Sequence, residues 1–295
     1  MNITLRQIEV FLAVAAFSHV GRAAESLNIS QSAVSMALGQ FEEAVKERLF
    51  DRSSRKVFLN DAGKKLLPFA RKAYEAAAEV ENFRSDGKIR GSLKIGASTT
   101  IGNYLMPFII GRFSEMFPET LITMEVGNTA VIAERVSEHE LDLGFTEGPV
   151  HDDEITELFW RKDRLTVFSP KSFIEESYRP DIPSWIIREK GSGTREVFEA
   201  AMSKAGTGFK IKMELGHTEA IKKAVEAGLG IGCLSELAVS GEISRGVFRR
   251  LNLNNADFSR DLNIITRKDK HLTASMKAFI DYCLKEDIKT AGYPD

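Results

Sequence analysis

At 295 residues the chain is long enough for two or three compact units, each with its own core. Its composition is ordinary for a soluble globular protein, and a net charge of −2 excludes a globally polybasic nucleic-acid binder. The charge is uneven: residues 1–90 carry +3 and residues 91–295 carry −5, a mildly basic front on an acidic body. The two cysteines, Cys233 and Cys283, form no CxxC pair and the five histidines are scattered, which argues against a structural zinc and fits a reduced, cytoplasmic compartment. The stretch IEVFLAVAAF (8–17) has the apolar look of a signal peptide. It carries Glu9 and lacks both a basic lead-in and a cleavage site, so it reads as a buried amphipathic helix. No segment reaches membrane-spanning length, and no membrane partner is expected.

The first zone, residues 1–60, is helix-rich and short-looped. Within VGRAAESLNISQSAVSMALGQFEEAV (20–45), apolar residues fall at Ala23, Leu27, Ile29, Val34 and Leu38. That spacing predicts two short helices meeting through Leu27-Asn28-Ile29, with Ala24 at their close crossing. Asn28 sits where the turn needs a left-handed backbone, which Asn tolerates. Ser30 is a good N-cap for the second helix, whose buried stripe is Val34, Leu38 and Phe41. Its other face shows Gln31, Ser32, Ser35 and Met36, short enough for the helix to lie deep in a major groove. The bland alternative is any small helical hairpin. Directly after it, KERLFDRSSRKVFLN (46–60) sets Arg52, Arg55 and Lys56 around a Ser-Ser turn before strand-like KVFL. This reads as a two-stranded wing presenting cations to phosphate, although a charge run is more often a solvated face.

The second zone, 61–88, is one long helical pattern with apolar residues at Leu66, Ala70, Ala73, Ala77 and Val80, beside Leu67 and Tyr74. A helix so polar elsewhere needs a partner for this stripe. The candidates are its own front domain or the same helix of a second copy, and dimerisation is the better reading. Pro68 should distort or delimit the first turn.

The third zone, 91–295, alternates strands with helices. Strands are expected at 92–97, 121–126, 141–145, 165–169, 184–188, 211–215 and 229–234, and helices at 101–117, 129–138, 197–204, 218–228 and 273–285. This alternation predicts βαβ units with a mostly parallel sheet. Two lobes are expected, lobe I about 91–164 with 266–295 and lobe II about 165–265, with the last helix folding back on the first lobe. Several strands end in hydroxyl-bearing turns that open helices: Ser98-Thr99-Thr100, Asn128-Thr129, Gly191-Ser192-Gly193-Thr194-Arg195 and His217-Thr218. Ligands of open α/β sheets bind beyond strand carboxyl ends, where helix N-termini offer free N–H donors to an anion. Each turn alone reads as ordinary capping, but two clusters from different lobes suggest a shared cleft. Arg195 either clamps an oxyanion or pairs with a nearby acid. Glu147, in GFTEG, either lines the cleft as an acceptor or fixes the loop. His217 is as good a loop hydrogen-bonder as a ligand contact.

With these residues in place the chain resembles the LysR-type transcriptional regulators. The resemblance covers nearly the whole chain and is carried by LRQIEVFLAVAAFSHVGRAAESLNISQSAVSMALGQFE (5–42), LFDR (49–52), VFLNDAGKKLLPFA (57–70) and the rear segments. It implies an N-terminal all-α winged helix-turn-helix (1–60) and a linker helix that dimerises (61–88). It also implies an α/β two-lobed effector-binding domain like type 2 periplasmic binding proteins (91–295). Double-stranded operator DNA and a homodimer are the implied partners, and tetramers are common in the family. Two departures stand out: Ser32-Ala33 replaces a common Pro-Ala, and Met36 replaces a long basic residue, so base preference does not carry over.

The stretches ASTTIGNYLMP (97–107), EGPV (147–150), REKGSGTRE (188–196) and ELGHTEAIKKAVEAGLGIGCLS (214–235) resemble regulators of sulfur assimilation or sulfite response, and of carbon fixation. The first group implies a sulfur oxyanion, the second a phosphorylated metabolite. A glycine-and-hydroxyl site without a lysine cluster ranks a sulfite- or sulfate-like anion first. The effector residues expected are Ser98, Thr99, Thr100, Asn128, Thr129, Glu147, Gly193, Thr194, Arg195, His217 and Thr218. An enzyme is the competing class. GSGTRE fails the dinucleotide fingerprint, because Glu196 stands where the third glycine belongs, and it fails the Walker spacing. No GxSxG, HExxH or base–nucleophile pairing appears, so no catalytic residue, cofactor or metal is expected. A solute-binding receptor would fit the rear but not the front.

Overall fold

The computed structural model describes residues 2–53, 56–82, 88–172, 184–253 and 256–286. The chain divides into two compact units, residues 1–87 with 269–274, and residues 88–268 with 275–295.

The first unit holds α1 (Leu5–Phe17), α2 (Val20–Ser26), α3 (Gln31–Val45), the hairpin β1 (Phe50–Ser53) and β2 (Lys56–Leu59), and α4 (Asp61–Asn82). A capping box opens α1: the Gln7 N–H donates to Thr4 Oγ1 and the Thr4 N–H to Gln7 Oε1. Asn28 takes the left-handed conformation expected of the turn, with φ +53°. Val10, Phe11, Val14, Ala23, Val34, Leu38 and Phe41 form the core with Leu49 and Phe50 of the hairpin. The Phe11 ring stands 5.3 Å from Phe41 and 5.5 Å from Phe50, which ties α1 to both α3 and the wing. Each such fully buried aromatic or aliphatic side chain stabilises the unit by about 1.5–3 kcal/mol.

Pro68 does not delimit α4: the helix runs through it for 22 residues. Ala70 is buried, and Leu66 and Leu67 pack partly against the same core. Tyr74 Oη donates to Glu9 Oε1 on α1 at 3.2 Å. Part of the stripe therefore packs on the chain's own front domain, and Phe69 and Val80 stay 71% and 75% exposed.

The second unit is built on one nine-stranded sheet of β3 (Gly91–Ser98), β4 (Thr120–Gly127), β5 (Leu143–Glu147), β6 (Ile155–Pro170), β7 (Trp185–Arg188), β8 (Ile211–Leu215), β9 (Ile231–Ser235), β10 (Phe248–Leu251) and β11 (Ser259–Arg267). The order is β4-β3-β5-β11-β6-β9-β7-β8, with β10 also paired to β6. β3, β4 and β5 are parallel, as are β7, β8 and β9, and the antiparallel β6 and β11 join the two sets. β6 pairs with β11 up to Arg164 and with β9 from Leu165, which makes it a strand of both lobes. The helices are α5 (Thr99–Tyr104), α6 (Met106–Met116), α7 (Thr129–Ser137), α8 (Gly193–Lys204), α9 (Thr218–Glu226), α10 (Glu236–Ser244) and α11 (Ala274–Lys285). Phe279 of α11 stacks edge-on to Phe113 and Phe145, so the last helix packs on α6 and β5.

Three expectations change. The single helix over 101–117 is two, broken at Leu105, because Pro107 starts a new helix instead of continuing the old one. The strand expected at 165–169 is the second half of a strand that begins at Ile155. β10 and β11 were not foreseen as strands.

Candidate functional site

On the first unit the exposed face of α3 carries Gln31, Ser32, Ser35 and Met36, and Met36 is 63% exposed. Ser30 Oγ accepts from the Ala33 N–H at 3.1 Å and shares a hydrogen bond with Ser32 Oγ at 2.8 Å. Val34, Leu38 and Phe41 face inward, so the polar face is free of packing duties. In the wing Ser53 pairs with Lys56. Arg55, and the side chains of Arg52 and Lys56, lie outside the described residues.

On the second unit the centre is Glu147, the last residue of β5. Its carboxylate is where three predicted effector residues, Ser98, Thr100 and Thr194, converge, and it is 2% exposed as a residue. Oε1 accepts from Ser98 Oγ at 2.7 Å and from the Thr100 N–H at 2.7 Å. Oε2 accepts from Thr100 Oγ1 and Thr194 Oγ1, each at 3.0 Å, and meets Arg260 Nη1 at 2.6 Å. Thr129 Oγ1 donates to the Glu147 backbone carbonyl at 3.1 Å. The donors expected to hold a ligand anion thus hold the chain's own carboxylate. Burial alone would raise the Glu147 pKa, but the Arg260 charge and the bonds from Ser98 and Thr100 outweigh it and hold the group at about 2. Ser98 makes no side-chain capping bond to α5, and neither Ser192 nor His217 caps its helix. Asn128 alone of the four turns caps by side chain, accepting from the Val131 N–H at 3.0 Å. Simple side-chain capping therefore does not explain the other three turns.

Arg260, on β11, also donates to Asp163 of β6, and Asp163 accepts in turn from Ser235 Oγ at 3.0 Å. Its guanidinium further reaches Thr194 Oγ1 at 2.9 Å and Thr100 Oγ1 at 3.4 Å, so one buried cation links the hydroxyls of both lobes. Direct lobe-to-lobe bonds surround this centre. Arg188 Nη2 donates to Thr99 Oγ1 at 3.1 Å, Asn128 Nδ2 to Glu189 Oε1 at 3.2 Å, and the Ala130 N–H to the Gly191 carbonyl at 3.0 Å.

Among the described residues, three expected ones, Arg195, His217 and Thr218, bond neither to Glu147 nor across the lobes. Arg195 donates to Glu199 at 2.8 Å, Glu214 at 2.5 Å and the Arg188 carbonyl at 3.3 Å, and so braces the β7–α8–β8 corner in place of an open clamp. His217 is exposed. Thr218 is buried, and its Oγ1 has no hydrogen-bond partner. Two glycines shape the turn into α8. A Cβ on Gly193 would lie 1.6 Å from the Glu147 carbonyl oxygen, so glycine there permits a backbone-to-backbone approach within the chain. Gly191 supplies the left-handed φ of +84° that the turn requires.

Sequence reasoning missed Arg188, Asp163, Ser235 and Arg260. A signal for two of them exists: Arg260 shares strand parity with buried Leu262 and Ile264, and Asp163 with Leu165 and Val167. A charged residue at a core-facing parity needs a buried partner of opposite sign. Among the described residues no group of three or more His, Cys, Asp or Glu could hold a metal, and no helix is long and apolar enough to cross a membrane.

Residues 5–64 match the bacterial regulatory helix-turn-helix protein, lysR family, and residues 86–287 match the LysR substrate binding domain. The uncharacterized HTH-type transcriptional regulator YeiE of Escherichia coli (strain K12) is 38% identical over 293 residues, 96% of this chain and 98% of that protein. A full-length OxyR from Pseudomonas aeruginosa, solved as a cysteine-to-aspartate variant, shares the fold with a TM-score of 0.75 at 22% identity, over 96% of this chain and 95% of that one. The regulatory domain of CcmR from Synechocystis PCC6803, solved in complex with 2-PG, superposes on 66% of this chain and 96% of its own with a TM-score of 0.59 and 25% identity. A reading head of three helices and a wing, joined to a two-lobed sensor domain, accordingly makes this chain a member of the LysR family of DNA-binding transcriptional regulators, not of an enzyme family.

Proposed function

We propose that α3 reads operator DNA from a dimer formed through α4, and that a small oxyanion binds between the two lobes of the second unit and resets their geometry. The single observation that carries the effector reading is the Arg188–Thr99 bond. It joins a buried cation at the carboxyl end of β7 to the first turn of α5, across the two lobes. A ligand there touches both lobes at once, and a ligand shifts a conformational equilibrium only by its difference in affinity for the two states.

Two oxyanion classes compete. A sulfur oxyanion such as sulfite or sulfate rests on the cleft's hydroxyl lining. A phosphorylated metabolite is favoured by the likeness to CcmR, whose regulatory domain was solved with 2-PG. Thermal unfolding of the full chain with sulfite, sulfate, inorganic phosphate and 2-PG decides between them. Binding to the folded state alone stabilises by about 2.7 kcal/mol at a hundred times Kd, and the true class gives a saturable rise in Tm. No rise with any of the four overturns the oxyanion reading.

A further inference from the structure

Among the described residues of the second unit, four cations are buried. Three of them have two carboxylates each: Arg260 has Glu147 and Asp163, Arg195 has Glu199 and Glu214, and Lys222 has Glu219 and Glu242. Arg188 is 2% exposed and has one salt-bridge carboxylate, that of Glu189, its chain neighbour. Arg188 Nε donates to Oε2 and Nη2 to Oε1, each at 2.8 Å, the fork-on-fork geometry that guanidinium makes with any planar oxyanion. The same Nη2 reaches Thr99 at the start of α5.

The two carboxylates nearest the lobe junction are held very differently. Glu147 is 3% exposed, and five donors saturate its oxygens. Glu189 is 24% exposed and, besides Arg188 and its own backbone N–H, receives one bond from Asn128 of the opposite lobe. The burial difference favours exchange at Glu189, which has water beside it, over exchange at Glu147, which has none. A further unsatisfied donor lies one strand over. Arg188 pairs in register with Leu215 of β8, and Thr218, three residues on, carries the buried hydroxyl without a partner.

We propose that Glu189 is an internal stand-in for the effector, and that the effector's oxyanion takes its place on Arg188. The ligand class is then an anion with two oxygens able to take the guanidinium fork, whether sulfur oxyanion, phosphate or carboxylate. Displacement also breaks the Asn128–Glu189 bond between the lobes, so ligand exchange and lobe geometry are coupled through one side chain. The inference rests on the effector reading above, and names the residue that sets the affinity of that site.

Glu189→Gln keeps the shape and removes the competing charge. Isothermal titration of the full chain with sulfite, sulfate, inorganic phosphate and 2-PG is expected to give a Kd about tenfold lower in Glu189→Gln than in the unmodified protein, for whichever anion binds, the scale of one charge-assisted hydrogen-bonded pair. Glu189→Ala repeats the measurement in case the Gln amide bonds elsewhere, and should show the same gain. Glu199→Gln removes a nearby charge without freeing Arg188 and should leave Kd unchanged. Equal Kd in the unmodified protein and both Glu189 variants overturns the exchange while leaving the cleft an anion site. An equal gain in Glu199→Gln overturns it in favour of a general charge effect. No binding by any of these proteins overturns the effector reading, and the exchange with it.

Discussion

Glu147 and Arg260 meet at 2.6 Å with both side chains sealed from water, 3% and 0% exposed. Arg260 also satisfies Asp163, so removing it would leave two buried carboxylates without a cation. Breaking a buried ion network by removing one partner costs about 3–5 kcal/mol. Arg260→Met should therefore lower the unfolding free energy of the full chain by about that amount in a urea titration. A variant as stable as the parent would mean that water reaches the cluster.

The same pair sets an acid limit. Glu147 ionises at about 2 in the folded chain against an ordinary 4.5, so the unfolded chain binds more protons between those values. The stabilisation is complete above the ordinary value and is lost as pH falls through the window from 4.5 toward 2. Melting temperatures should decline over that window, and Glu147→Gln should flatten part of the decline. An identical pH profile in the variant would show that other carboxylates carry the acid sensitivity.

Two helix glycines, Gly39 within α3 and Gly193 at the first position of α8, make an informative contrast. Gly39 in α3 has nothing within 4 Å of a Cβ, so Gly39→Ala should stabilise by about 0.5–1 kcal/mol through helix propensity alone. At Gly193 a methyl would collide with the Glu147 carbonyl oxygen, and α8 must move. Overpacking of this kind costs about 1–3 kcal/mol. Opposite signs for the two substitutions in denaturant melts are expected; the same sign for both would remove the case for a tight α8–β5 contact.

Locally encoded features were legible. The turn at Asn28, the cap at Ser30 and the stripe of Val34, Leu38 and Phe41 each depend on neighbours in sequence, and each could be read from spacing and residue chemistry. The break between α5 and α6 was also local, and Pro107 gave the signal that was passed over. The partner of Glu147 was not legible in the same way. Arg260 reaches it only because β11 lies between β5 and β6, a pairing that depends on the whole sheet order. Loop chemistry pointed to an anion at Ser98, Thr100 and Thr194. It could not say that the anion belongs to the chain, because a carboxylate and an external oxyanion ask for the same donors.

The DNA-reading surface divides into two kinds of contact. Ser30→Ala should cost about 1 kcal/mol of stability through the lost cap. Gln31→Ala should instead leave stability alone and reduce discrimination between operator and non-operator DNA. Replacing Arg52 and Arg55 with Gln should weaken binding to all sequences and reduce the slope of log K against log salt by about 0.9 per lost phosphate contact. An unchanged slope in a fluorescence-anisotropy titration would take the wing out of the interface.

The last test concerns α4. Its inner residues Ala70 and Tyr74 pack on the chain's own front domain, while Phe69 and Val80 face outward. Exposed apolar groups on a helix that is polar elsewhere are the seam a second copy would cover. Phe69→Glu with Val80→Glu places a charge at each end of that seam without touching the inner contacts. Light scattering should then show a shift toward monomer, and operator affinity should fall because a monomer engages one half-site. The thermal unfolding of a monomeric variant should remain cooperative, since the core of Phe11, Phe41 and Phe50 is internal to one chain. A double variant with unchanged mass in solution would assign the α4 stripe to intrachain packing and move the dimer contact elsewhere.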